Sequence, residues 1–154
     1  MLADVCARGG FRIVHYSIQR DHLHLLIEGD NHVALTNGMK SLGARLGKLV
    51  NRVFDRSGPA LDGRYHARPI GTPLEARRAL AYVLLNARRH WIKRHRALPP
   101  ADLDAASSAR WFDGWLSIPV RQTTAECEVA PARTWLLRVG WRRHGLIAPN
   151  EVPG

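Results

Sequence analysis

The stretch "HYSIQRDHLHLLIEG", His15 to Gly29, holds two imidazoles, His22 and His24, one residue apart. In an extended strand residues i and i+2 project to the same side, roughly 6.5–7 Å apart, so two such rings can converge on one divalent metal if a third ligand arrives from elsewhere. Further along, "ALAYVLLNARRHW" places Tyr82 and Asn86 four residues apart, and His90 continues the row. On a helix that spacing makes them neighbours on one face. A phenol and an amide oxygen facing the histidine pair would supply a nucleophile and a further metal ligand. Each half also has a plainer use. An isolated His-x-His can be a hydrogen-bonded or half-exposed pair, and Tyr82 can be a core aromatic beside a surface Asn86.

Composition narrows the partner. The chain has 154 residues, enough for one compact domain with a real core and a short appendage. Its formal charge is +10, and twenty of its 23 basic residues are Arg, whose planar fork suits phosphate. A polyanion is the expected partner. Cys6 and Cys127 are the only cysteines and stand far apart, which excludes a disulfide framework and makes a reducing cytoplasm the default. No apolar run approaches membrane-spanning length, and no signal peptide is visible, so no membrane partner is expected.

The elements that must position these residues can be read in order. Leu2 to Arg8 suggests one or two helical turns, stopped by Gly9-Gly10. "FRIVHYSIQ" alternates as a strand, and "HLHLLIE" after a tight Arg20-Asp21 connection is the second arm of a hairpin. On that arm Leu23, Leu25 and Ile27 share one face, and His22, His24 and Leu26 the other. Asn31 caps a helix from His32 to about Arg56, with Leu35, Met39, Leu42, Leu46, Leu49 and Val53 on its apolar stripe. "RSGPALDG" is a loop and "RYHARPI" a third strand. Thr72-Pro73-Leu74-Glu75 is a capping box, opening a helix that nothing interrupts until about His95. "ALPPADLDAASSA" reads as a linker. Beyond it lie four of the five Trp residues, in a segment that packs through Trp135, Leu136 and Trp141.

Taken together and in this order, "HLHLLIE" after a strand, "GRYHARPI" before a helix and "LAYVLLNARRH" within it resemble the IS200-like, single-tyrosine transposases of the HUH nuclease superfamily. The branch that includes REP-associated tyrosine transposases is the nearest in look. The resemblance spans roughly Phe11 to His90. It implies an α+β fold: a ferredoxin-like antiparallel sheet with helices on one face, followed by a small helical and aromatic extension. Residues 1–97 would form the catalytic domain, N-terminally incomplete, and 98–154 the linker and a basic, Trp-containing extension.

The resemblance also implies roles. His22 and His24 would bind Mg²⁺ or Mn²⁺, and Asn86 would complete the metal site. Tyr82 would attack a phosphodiester of single-stranded or hairpin DNA, leaving a 5′-phosphotyrosine and a free 3′-hydroxyl. The chemistry is coherent: a phenol titrating near pKa ~10 is a weak nucleophile at neutral pH, and a neighbouring cation favours its phenolate. Arg64, Arg88, Arg89, Lys93 and Arg94 are the expected DNA contacts, since a backbone must pass just beyond the nucleophile and phosphate contacts give salt-dependent affinity. A homodimer is compatible with this reading.

Two departures matter. Family members carry Pro after the Asn; Ala87 stands here, and because Ala favours helix the helix is expected to run on. The family's first strand precedes its first helix, whereas here "MLADVCARGG" reads as that helix with no strand before it. A start site assigned too late, a decayed element copy or a strand supplied by a partner would each account for this, and decay would leave the protein inactive. The alternative reading is therefore a non-catalytic DNA-binding remnant. Replication initiators and relaxases of the same superfamily usually bring a second nearby tyrosine or a helicase, and neither is visible.

Overall fold

The computed structural model describes residues 7–8, 10–61, 65–97, 99, 102–117 and 126–153. Its centre is a hairpin of β2 (Phe11–Ile18) and β3 (Leu23–Gly29), with β1 (Ala7–Arg8) on the outer side of β2. All pairings are antiparallel, with Ile13 opposite Ile27, Tyr16 opposite Leu25 and Ser17 opposite His24. The sequence places Ala7 and Arg8 at the end of a helix, but they pair with Arg12 and Phe11 in the sheet. The turn between them uses Gly10 at φ +80°, a conformation that favours a residue without Cβ. Strand pairing with an already formed neighbour outweighs a weak local helical preference. The rest of that expected helix, Leu2 to Cys6, lies outside the described residues.

Helices cover both faces of the hairpin, where one face was expected. The first, α1 (His32–Val53), is capped by Asn31, whose Oδ1 accepts from the Ala34 N–H at 2.9 Å. It sets Leu35, Met39, Leu42 and Leu46 against Phe11, Ile13, Tyr16, Leu23, Leu25 and Ile27. Gly38 permits the approach, because a Cβ there would overlap the Phe11 ring. Leu49 and Val53 continue the stripe but stay exposed. A helix of this length spans about 33 Å and overhangs strands of about 25 Å.

The second helix, α2 (Pro73–Leu84), has the expected capping box: Thr72 Oγ1 accepts from the Glu75 N–H, and Glu75 accepts from the Thr72 N–H, both at 3.2 Å. It packs Ala76, Leu80 and Leu84 against Val14 and Leu26, the opposite face of the hairpin. The helix does not run on to His95. It stops at Leu85 (φ −114°, ψ 15°), and α3 (Asn86–His95) restarts beyond it. Val83, Leu84, Leu85 and Asn86 are all buried. Four consecutive residues sweep about 300° of a regular helix, so burying all of them against one surface requires the chain to turn.

The expected third strand is also absent: Tyr65–Ile70 has no strand pairing. Tyr65 to Pro69 are all exposed, so this run has no apolar face to bury, and Pro69 has no N–H for a ladder. Among the described residues β3 is therefore an edge of the sheet.

The C-terminal third shares the α2 core. A 3-10 turn at Ser108–Trp111, a short helix α4 (Trp135–Arg138) and a 3-10 turn at Gly140–His144 bring in Ala109, Phe112, Trp141 and Ile147. Arg77 on α2 holds this segment by a bidentate pair with Glu151 at 2.8 and 2.9 Å and by the carbonyls of Gly145 and Leu146. The whole is an α+β fold built on a short antiparallel sheet. No helix among the described residues is long and apolar enough to cross a membrane.

Candidate active site

The sequence of β3 puts His24 on the α2 side, and His22 stands in the turn just before the strand. His24 is half-buried and His22 exposed. Their Nε2 atoms are 3.0 Å apart. His22 Nδ1 lies 2.6 Å from Asp21 Oδ1, so the carboxylate accepts the Nδ1 proton. In the uncharged ring this arrangement puts the lone pair on His22 Nε2, the atom that faces His24. Asp21 is held below the usual carboxylate range by this hydrogen bond. Burial pushes the His24 imidazole below its ordinary value, and the nearby His22 and His90 push it the same way. The uncharged imidazole that these effects favour is the form that can act as a ligand.

Tyr82, on the last turn of α2, faces this pair: its ring centroid is 5.0 Å from that of His24, in edge contact. The first turns of α3 add His90, 6.1 Å from the His22 ring, and Arg89, whose Cζ stands 5.5 Å from the Tyr82 ring centroid. The bend at Leu85 therefore lies between the nucleophile candidate and the Arg89 and His90 side chains that approach the site.

The remaining expected residues are distributed unevenly. Asn86 is fully buried, and neither its Oδ1 nor its Nδ2 has a hydrogen-bond partner among the described residues. A buried amide left so costs about 1–3 kcal/mol per unmade bond. Arg88 is buried, and burial lowers its pKa. Arg89, Lys93 and Arg94 are exposed along α3. Arg64 lies outside the described residues. The other phenols sit elsewhere: Tyr16 is buried and donates to Glu128 at 2.6 Å, and Tyr65 is exposed before α2.

Sequence reasoning passed over Asp21, treating it only as part of a turn. Its signal was its position next to the first histidine, since imidazole ligands commonly share their second nitrogen with a carboxylate.

The chain belongs to the IS200-like transposase family: the model of the family described as "Transposase IS200 like" matches residues 1–83, a little over half of the chain. The match ends one residue after Tyr82. No curated protein and no solved structure matches the chain. Membership carries a transposase-like function with DNA as the partner, in a family of DNA-cleaving enzymes that generally use a divalent metal.

Proposed function

We propose that the protein is a single-tyrosine transposase of the HUH type, which nicks and rejoins single-stranded or hairpin DNA in the cytoplasm. The observation that carries this reading is the Tyr82 ring in edge contact with His24, whose Nε2 is 3.0 Å from that of His22. The Tyr82 oxygen attacks the phosphorus and the bond to the 3′-oxygen breaks. The phenolic proton leaves to solvent, the departing 3′-oxygen gains one, and the 5′-phosphate stays on the tyrosine. Rejoining reverses these steps with a new 3′-hydroxyl, and no nucleotide cofactor is needed because the phosphodiester energy is kept in the covalent link. Arg89 stands beside the ring, where its guanidinium meets the oxygens of the attacked phosphate. Arg89, Lys93 and Arg94 hold the strand by its phosphates, with Arg64 an expected contact as well.

His22, His24 and Asn86 would hold Mg²⁺ or Mn²⁺. The two Nε2 atoms already converge, 3.0 Å apart, on the side that faces Tyr82. Among the described residues no group of three or more His, Cys, Asp or Glu could hold a metal. The third ligand in this reading is the Asn86 amide oxygen, which is buried and has no hydrogen-bond partner among the described residues. When bound, the ion supplies polarisation of the scissile phosphate and neutralises charge that grows on its oxygens.

Mixing the protein with a labelled single-stranded hairpin and Mg²⁺ or Mn²⁺ should give a covalent adduct that survives denaturing electrophoresis, and Tyr82→Phe should abolish it. An unchanged adduct in Tyr82→Phe excludes Tyr82. Binding that persists in EDTA with no cleavage product under either metal would make the protein a non-catalytic DNA-binding module instead.

A further inference from the structure

The five Trp residues have different surroundings. Trp141 is buried, Trp115 packs against the same core, and Trp111 packs against the core under α1. Trp135 lies against Gly140, whose added Cβ would be 2.7 Å from its ring, and Arg143 stands 4.8 Å over it. Trp91 belongs to neither core. It is 40% exposed on α3 and stacks on His95, one turn further along, with ring centroids 4.3 Å apart and planes at 34°.

One exposed apolar ring on a surface is ordinary. Here the ring pair stands among the exposed cations Lys93, Arg94 and Arg96, on a helix whose sequence, "NARRHWIKRH", contains no acid. A cationic track with an aromatic pair set into it is complementary to a single-stranded polyanion whose bases are unpaired. A duplex would offer the phosphates but keep its base faces covered.

We propose that Trp91 and His95 form a stacking platform for one unpaired base of the bound strand, whose phosphates pass Lys93 and Arg94. The proposal rests on DNA being the partner in the reading above, and adds a contact to a base rather than to the backbone. Such a site contributes affinity that depends on the presence of a base but not on counterion release, which separates it from the arginine contacts.

The test uses the full chain in EDTA and two labelled probes of equal length and charge, an oligothymidylate and an abasic strand, read by fluorescence anisotropy. The wild type should bind the oligothymidylate about tenfold more tightly than Trp91→Ala does, while the two proteins bind the abasic strand equally. Trp91→Phe should keep most of the difference. The salt dependence should be the same in Trp91→Ala as in the wild type and shallower in Lys93→Ala. Equal binding of wild type and Trp91→Ala to the oligothymidylate overturns the platform, as does an equal loss on both probes or failure of the wild type to bind either. Adduct formation without base discrimination would sink the platform and leave the Tyr82 chemistry standing. Base discrimination without an adduct would do the reverse.

Discussion

One step along β3 separates two different environments. Leu23, Leu25 and Ile27 face α1 and pack with Phe11, Ile13 and Leu42 in one hydrophobic cluster. His24, Leu26 and Glu28 face the opposite way, and there polar and apolar groups alternate. On that polar side the two ends of the strand differ again. Glu28, 5% exposed, accepts from the Thr134 hydroxyl at 2.6 Å, from the N–H groups of Arg133 and Thr134 at 2.8 and 3.0 Å, and from Arg12 at 3.4 Å. Burial alone would raise its pKa, but these donors more than offset that and hold it below the ordinary value. Its hydrogen-bonding capacity is spent on tying the C-terminal segment to the hairpin. At the other end His22 donates to Asp21 through Nδ1, its Nε2 stands 3.0 Å from that of His24, and His24 faces Tyr82. Polar groups saturated by the chain are structure; those that keep a lone pair near the surface can do chemistry.

The contrast predicts that substitutions on the two sides fail differently. His24→Ala should lower the rate of adduct formation on the order of a thousandfold, the scale of several kcal/mol of lost charge stabilisation, with the urea midpoint almost unchanged. A parallel loss of stability would mean that the His24 side is also a structural face. Phe11→Ala, on the α1 side, should cost about 3–4 kcal/mol in urea unfolding and leave adduct formation per folded molecule intact. If activity falls further than the folded fraction does, the two sides are not separable.

A third histidine sharpens the point. His15 also faces the α2 side, but it is 8% exposed, bonded through Nδ1 to Ser108 at 3.0 Å and in edge contact with Phe112. Burial pushes its imidazole down to about 4. Between that value and the unfolded value near ~6.5 the unfolded chain binds more protons than the folded one. Stability should therefore be fully present above about pH 6.5 and decline as the pH falls toward 4, by about 3 kcal/mol. Glu28, with its lowered value, acts in the same direction at still lower pH. Urea midpoints at pH 7 and pH 4 measure this, and His15→Gln should flatten the dependence. An equally steep profile in His15→Gln would assign the acid loss to other groups.

The smallest expected effect concerns the orientation of the site. Asp21→Asn keeps the shape but weakens the acceptor for His22 Nδ1–H, and should reduce Mn²⁺ affinity about tenfold by calorimetry. No change would mean that His22 needs no orienting partner.

Much of this was legible in residue order. The Asn31 cap, the Thr72–Glu75 capping box and the α1 stripe through Leu46 all formed as read, because each is decided by contacts within one or two helical turns. The hairpin with its two-faced β3 was legible from period-two alternation. The pieces that failed depend on distant surfaces. Residues 65–70 are exposed up to Pro69 and have no sheet face to cover. Leu49 and Val53 continue a stripe past the end of the sheet. The bend at Leu85 answers a requirement to bury four residues in succession, which no local propensity reports.

The chain's order of residue types alone dictated which groups are available for chemistry, and on which periodicity, because strand and helix spacing are properties of the local backbone. Folding decided the rest: which helix covers which face, that Tyr82 and His24 touch, and that Asn86 is buried while Lys93 and Arg94 stay in water. Those outcomes follow from burying apolar area between segments far apart in the chain, an energy that no short window of sequence contains.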